Sequence, residues 1–205
     1  MKVMMINGSP NEKGCTYTAL LQCKKGLEEM GVDANIVHIG REPVYSCSAC
    51  FGCEETGRCV HDDICNNMLA LAEQSVGIIV GSPVYFAGPT GAICSLLERM
   101  FFANSDVLKG KPAAAVVSCR RSGSTAAFDR LNKFFAYNNM SIVTSQNCWN
   151  GVHGITPDEV MQDAEGMQTM RILGRNMAWL IKTMHGSNIK MPSEEEYIET
   201  SFIRD

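Results

Sequence analysis

The sequence predicts an α/β sandwich of three layers: a five-stranded parallel sheet in the order 2-1-3-4-5, with helices on both faces. Three observations carry this. Apolar runs and helical patterns alternate along most of the chain. The apolar runs are nearly continuous, as in strands buried on both faces. The 205 residues and 45% hydrophobic content supply one ordinary globular core and rule out a disordered chain.

The elements follow in order. Lys2–Ile6 is an apolar run with one polar start, so it reads as a buried strand. Thr16–Met30 carries Leu20, Leu21, Leu27 and Met30 at helical spacing and stops at Gly31. Ala34–Ile39 is the second strand, and Gly77–Val80 with its neighbours is the third, ending at Gly81-Ser82-Pro83. Thr90–Phe102 is a clear helix, Pro112–Ser118 the fourth strand, Thr125–Tyr137 another helix and Ser141–Thr144 the fifth strand. Asp158–Met184 reads as one long final helix, with Asp158 and Glu159 at its positive dipole end. Its methionines (Met161, Met167, Met170, Met177, Met184) suit core or subunit interface. Such an arrangement is flavodoxin-like, and its ligands sit at the carboxyl ends of the strands where strand order reverses. Residues 1–185 form one domain. Residues 186–205 form a polar tail whose Tyr197, Ile198, Phe202 and Ile203 suggest docking on a neighbouring subunit.

Composition narrows the function. The net charge is −4, with no Lys/Arg run, which argues against nucleic acid as a partner. The opening apolar run is too short for a signal segment and no stretch approaches a membrane span, so a cytoplasmic protein is expected. There, ten cysteines point to metal, cluster or redox chemistry rather than disulfides. Cys15, Cys23, Cys65, Cys94, Cys119 and Cys148 are scattered, and most of them read as small buried side chains.

The first strand runs into Gly8-Ser9-Pro10-Asn11-Glu12-Lys13-Gly14-Cys15-Thr16 and then a helix. Free N–H groups and the dipole at a helix N-terminus hold phosphate, and the Ser9 and Thr16 hydroxyls add donors. The spacing fits neither the P-loop pattern nor the dinucleotide glycine fingerprint. A hydroxyl-lined loop without a Lys-Thr pair for Mg²⁺ suits a phosphate monoester such as that of FMN. After the third strand, Ser82, Pro83, Val84, Tyr85 and Phe86 lie where a flavin ring would stack and bond to backbone N–H groups. After the fourth, Ser118, Arg120, Arg121 and Gly123 bring cations to the flavin edge that becomes negative on reduction, or to a nicotinamide cofactor's phosphate.

The stretches GSPNEKGCT, the cysteine run ending before Asp62-Asp63, and GSPVYFAGPTG with the helix to Glu98-Arg99 resemble those of the NADPH-dependent FMN reductases and related iron–sulfur flavoproteins. The resemblance covers most of residues 1–150, and the closing Thr200–Arg204 is similar to a tail of one branch. It implies FMN, a flavodoxin-like fold, and a homodimer or homotetramer with the active site near an interface. Two positions depart from it. Asn11 stands where relatives often have Arg and Cys15 where they often have Asn, so one cation and one amide are missing; Lys13 is the nearest replacement cation.

Cys47, Cys50, Cys53 and Cys59 have the spacing C-x₂-C-x₂-C-x₅-C. Three thiolates at every third residue can wrap one face of a [4Fe–4S] cluster, and a fourth closes it. A zinc ribbon places its two pairs far apart. The bland alternative makes these cysteines only a loop over the flavin. Asp62 and Asp63 read as caps of the next helix. His38, His61, His153 and His185 are dispersed, and only His153 falls near the flavin. No other acid or base is called for, since the flavin carries the chemistry. The expectation is therefore an oxidoreductase taking hydride from NAD(P)H onto flavin N5 and passing electrons to a quinone-like, flavin or protein acceptor. The rival is an electron carrier with no small substrate of its own. A third reading is a structural zinc domain.

Overall fold

Lys2–Asn7 (β1), Asp33–His38 (β2), Gly77–Pro83 (β3) and Pro112–Cys119 (β4) are strands in the computed structural model, which describes residues 1–146, 149–189, 191–193, 195, 196, 198 and 200. β1, β3 and β4 are buried almost throughout, as strands covered on both faces must be. All strand pairings are parallel, and the strand order is β2-β1-β3-β4 with Ser141–Ile142 (β5) beyond β4.

The fifth strand differs from the one expected at Ser141–Thr144. It is two pieces, Ser141–Ile142 (β5) and Gly151–His153 (β6), pairing respectively with the start and the end of β4. Asn150 fills the gap between them. Its side chain is 1% exposed and donates to Ala115 O at 3.1 Å, while its carbonyl accepts from Val117 N. A buried amide thus satisfies strand edges that a continuous fifth strand would have paired.

Cys15–Glu29 (α1), Pro157–Gln162 (α5) and Ala164–Gly186 (α6) cover one face of the sheet. Ile64–Glu73 (α2), Gly91–Asn104 (α3) and Ser124–Tyr137 (α4) cover the other. α1 and α6 cross at Gly26 and Gly174. A Cβ at Gly26 would fall 2.2 Å from Arg171 O, and one at Gly174 2.1 Å from Cys23 O, so the helices touch backbone to backbone. The single final helix expected from Asp158 is broken at Asp163. That residue caps α6 by accepting from Gly166 N, and its other carboxylate oxygen accepts from His153 N at 2.7 Å.

Met167, Met170 and Met177 of α6 belong to the core, whereas Met161 and Met184 are exposed. No helix among the described residues is long and apolar enough to cross a membrane. Of the tail's four apolar residues, Ile198 is exposed; Tyr197, Phe202 and Ile203 lie outside the described residues, as does Cys148.

Candidate functional site

β1, β3 and β4 end side by side, and their loops form one surface at the carboxyl edge of the sheet. Gly8 N donates to Gly81 O at 2.8 Å, and a Cβ at Gly8 would fall 2.8 Å from that same oxygen, so the first loop leaves the sheet pressed against β3. Thr90 binds this corner together. It caps α3 by accepting from Ile93 N and donates to Gly8 O at 2.9 Å, while Ser82 Oγ accepts from Thr90 N. Ser82 is therefore a fully buried support beneath the flavin loop.

The phosphate loop is held from outside. Asn7, buried at the end of β1, accepts from Ser9 N and donates to Glu12 O. His38 at the end of β2 reaches Ser9 O at 2.7 Å, a structural role. Ser9 Oγ accepts from Asn11 N at 3.1 Å, which leaves its own O–H to donate. The helix cap is Gly14, with no side-chain capping bond, and the first turn of α1 holds no acidic residue. The amides of Cys15 and Thr16 are thus presented at the positive end of the helix dipole. A Cβ at Gly14 would lie 3.1 Å from Asn11 Cβ, so a side chain there would press on Asn11 and shift the loop by a few tenths of an ångström. These features fit a phosphate monoester.

Three predicted residues sit differently from the simple picture. The Thr16 hydroxyl is buried and pairs with Ser118 Oγ at 2.8 Å, tying α1 to β4, so Thr16 meets the loop through its amide. Cys15 turns its sulfur toward Gly154 O, and burial raises its thiol pKa. Lys13 is exposed and lines the same shallow cavity at the loop as Asn11, Gly14 and Arg41. The nearest cation joined to the loop is Arg41, which the sequence reading missed. Its Nε donates to Pro10 O at 2.9 Å and its Nη2 to Asn11 Oδ1 at 3.2 Å. Arg41 follows β2, thirty residues from the loop in sequence, so only the strand order could have revealed it.

In the second loop, Tyr85 and Gly88 exchange backbone hydrogen bonds around Phe86 and Ala87, whose φ values are +49° and +60°. Left-handed backbone at two non-glycine residues is strain of the sort kept at binding sites. The Phe86 ring is fully exposed and Tyr85 half-exposed. Pro83 ends β3, and Val84 N donates to Ser118 O. Gly123, at φ +86°, lets the β4 loop approach, since a Cβ there would fall 2.9 Å from Ala87 Cα. Arg120 and Arg121 are exposed beside it, without a charged partner among the described residues. His153, at the end of β6, sits with its Nδ1 3.4 Å from Asp163 Oδ2.

The cysteine segment leaves β2 and returns to α2 across one face of α3. Ser46 bonds Ser95, and Phe51 packs on Phe102 with ring centroids 5.9 Å apart. Ser95, Arg99 and Phe102 share that helix face. The segment's two ends meet, with the Tyr45 and His61 rings stacked at 5.0 Å. Between them, Cys47, Cys50, Cys53 and Cys59 all line one cavity, with Arg99 and Phe102 as further walls. Ala49 and Phe51 take left-handed φ values of +50° and +57°, which turns the chain between successive cysteines. Asn66, nearly buried, fixes Cys59 by bonding both its N–H and its carbonyl at 2.9 Å.

Charge in this corner is arranged around Arg99. Burial alone would raise the Asp63 pKa, but hydrogen bonds from Arg99 and the Cys65 amide hold it below the usual carboxylate value. Desolvation raises the Cys53 thiol, with the other three cysteines of the segment adding to it. At Cys50 an amide hydrogen bond at Gly52 favours the thiolate and lowers the pKa. Cys65 is buried and pushed up to about 12 by desolvation, which suits an inert core thiol. Asp63 caps α2 by accepting from Cys65 N, whereas Asp62 is exposed. Four cysteines lining one cavity, with an N–H donor beside Cys59, are the kind of donor set an iron–sulfur cluster takes. Among the described residues no three His, Cys, Asp or Glu groups converge closely enough for a single ion, and a cluster holds its thiolates further apart than one zinc does.

Comparison with known proteins gives a family and a fold. A family profile for NADPH-dependent FMN reductase matches residues 1–153. An iron–sulfur flavoprotein of Methanocaldococcus jannaschii is 29% identical over 192 residues, covering 89% of this chain and 98% of that protein. One from Archaeoglobus fulgidus is 32% identical over 118 residues, covering 57% of this chain and 54% of its own. Among solved structures, RosB with a bound 8-demethyl-8-formylriboflavin-5'-phosphate superposes with a TM-score of 0.75 at 12% identity, over 98% of this chain and 92% of that one. An archaeal flavodoxin superposes at 0.59 and 17% identity, over 89% and 99%. At such identities the structures establish the flavodoxin-like fold.

Proposed function

The chain belongs to the NADPH-dependent FMN reductase family, and we propose that it is an FMN-dependent oxidoreductase that draws on NAD(P)H and delivers electrons singly through a [4Fe–4S] cluster. At the coarser level it is a flavin-dependent oxidoreductase or electron carrier. When bound, FMN accepts hydride at N5 and a cluster exchanges one electron at a time. The residues of this chain do the rest.

Ser9, the amides of Cys15 and Thr16 and the Arg41 cation hold the phosphate. The Val84–Phe86 backbone and the Tyr85 and Phe86 rings position and cover the flavin ring. Arg120 and Arg121 offer charge to the flavin edge or to the nicotinamide cofactor's phosphate. Cys47, Cys50, Cys53 and Cys59 hold the cluster.

The observation that carries this reading is the shared helix. α3 begins at Thr90, where the flavin loop ends, and Ser95–Phe102 of the same helix support the cysteine segment. At the α-helical rise this separates the two supports by roughly 8–18 Å along the axis. The exposed Trp179 and Met184 on α6 support assembly into a homodimer or homotetramer through that helix and the tail.

The test uses protein reconstituted with FMN, iron and sulfide under anaerobic conditions. NADPH should bleach the flavin, and a one-electron dye should then be reduced quickly. Cys50→Ser should keep the first step and lose the second. A protein that NADPH cannot reduce would be the carrier alone. A Cys50→Ser variant as fast as the wild type with the one-electron dye would leave a simple quinone or flavin reductase.

A further inference from the structure

We propose that Arg99 is a positioning residue that donates an N–H hydrogen bond to the cluster-ligating sulfur of Cys59 and thereby raises the cluster's reduction potential. This rests on the reading that Cys47, Cys50, Cys53 and Cys59 hold a [4Fe–4S] cluster.

The first support is a complete donor count. A guanidinium has five N–H groups in a fixed fork and cannot accept. Arg99 is 1% exposed, so each unpaired N–H would be costly. All five have partners. Nε donates to Cys59 Sγ at 3.2 Å. Nη1 donates to Tyr45 O and to Asp63 Oδ2, and Nη2 to His61 O at 3.3 Å and Asp63 Oδ1 at 2.8 Å. Four donors thus hold the two ends of the cysteine segment and its exit, and the fifth is aimed at a ligand sulfur.

The second support is charge. Asp63 neutralises the guanidinium from the side away from the sulfur, so the corner gains a directed N–H without a net positive charge. A buried, fully bonded fork cannot swing away, so the donor stays on Cys59 in both oxidation states. Reduction adds one electron to an assembly that is already anionic. A fixed N–H dipole pointing at its sulfur stabilises that added charge more than it stabilises the oxidised form.

Lysine at this position would keep the cation and its pairing with Asp63 but lack the fork that reaches the sulfur at the same time. Reconstituted Arg99→Lys should keep its irons and show a one-electron equilibrium about tenfold less favourable to reduction, which is a midpoint about 59 mV lower. An unchanged midpoint with a full complement of iron would overturn the proposal. A second measurement needs no variant. In wild-type protein whose arginine guanidinium nitrogens are ¹⁵N-labelled, pulsed EPR of the reduced cluster should show a weakly coupled ¹⁵N. Its absence would overturn the proposal even if Arg99→Lys failed to fold. A wild-type protein that takes up no iron anaerobically overturns the cluster reading itself, which is a separate and distinguishable result.

Discussion

Replacing Asp63 with Asn should destabilise the protein far more than a partly exposed capping residue suggests. The carboxylate accepts from Arg99 Nη1 and Nη2 and from Cys65 N, so it both neutralises Arg99 and caps α2. Asparagine keeps an oxygen for the cap but turns an NH₂ or a single neutral oxygen toward a guanidinium that is 1% exposed. Removing one partner of a buried pair leaves an uncompensated charge, at a cost of about 3–5 kcal/mol. For a chain of 205 residues each kcal/mol shifts Tm by roughly 2–4 °C, so melting should fall by about 6–20 °C. The same pair sets a pH signature. The Asp63 pKa is depressed in the folded protein, so its stabilisation is full above the unfolded value of about 3.9 and is lost as pH falls through the folded value. Wild type should therefore lose stability below about pH 4 more steeply than Asp63→Asn, with the difference between them flat from about pH 5 to 8. Denaturant titration in reducing buffer, with the exposed Asp62→Asn as control, measures both. An Asp63→Asn protein within about 1 kcal/mol of wild type at neutral pH would refute the reasoning.

Other outcomes follow from the loops. Ser9→Ala removes an O–H free to donate to the phosphate, a hydrogen bond to a charged group worth about 1.5–3 kcal/mol, so FMN affinity should fall roughly tenfold or more. Thr16→Ala should act mainly through its lost bond to Ser118, and a double variant binding FMN as tightly as wild type by fluorescence titration would misplace the site. Arg41→Gln should weaken FMN binding but leave riboflavin, which lacks the phosphate, unaffected; equal losses for both would reassign Arg41 to holding the loop's shape. Changing Arg120 and Arg121 together to Gln should lower the flavin midpoint or raise the KM for NADPH, and if neither moves the pair is merely solvated.

The parts legible in the sequence were those written in local pattern. β1, β3 and β4 are buried on both sides and so appear as unbroken apolar runs, and Gly8, Gly14 and Thr90 mark the turns after them. The cysteine spacing was likewise local, and the four cysteines line one cavity. What was not legible depends on distant partners. Asn150 replaces the middle of a strand by bonding across to Ala115, and no periodicity marks such a substitution. Asp163 breaks the last helix because it serves His153 and Gly166 together, while the apolar pattern runs on past it. Arg41 bonds the first loop from the end of a neighbouring strand, a contact that no local pattern marks. Arg99 stands in the sequence only at the end of a stretch that carries the resemblance, and its role depends on partners at Tyr45, Cys59, His61 and Asp63.

The central claim is that one chain holds a flavin and, beside it, an iron–sulfur cluster on the four cysteines of this cavity. Iron, sulfide and FMN assays on protein reconstituted and purified without oxygen test it most directly. About four irons and four sulfides per FMN-bearing chain are predicted, with the iron lost and the FMN kept in Cys50→Ser. Fewer than three irons per chain, unchanged in Cys50→Ser, would contradict the account and leave the cysteine segment as a loop beside a simple flavin reductase site.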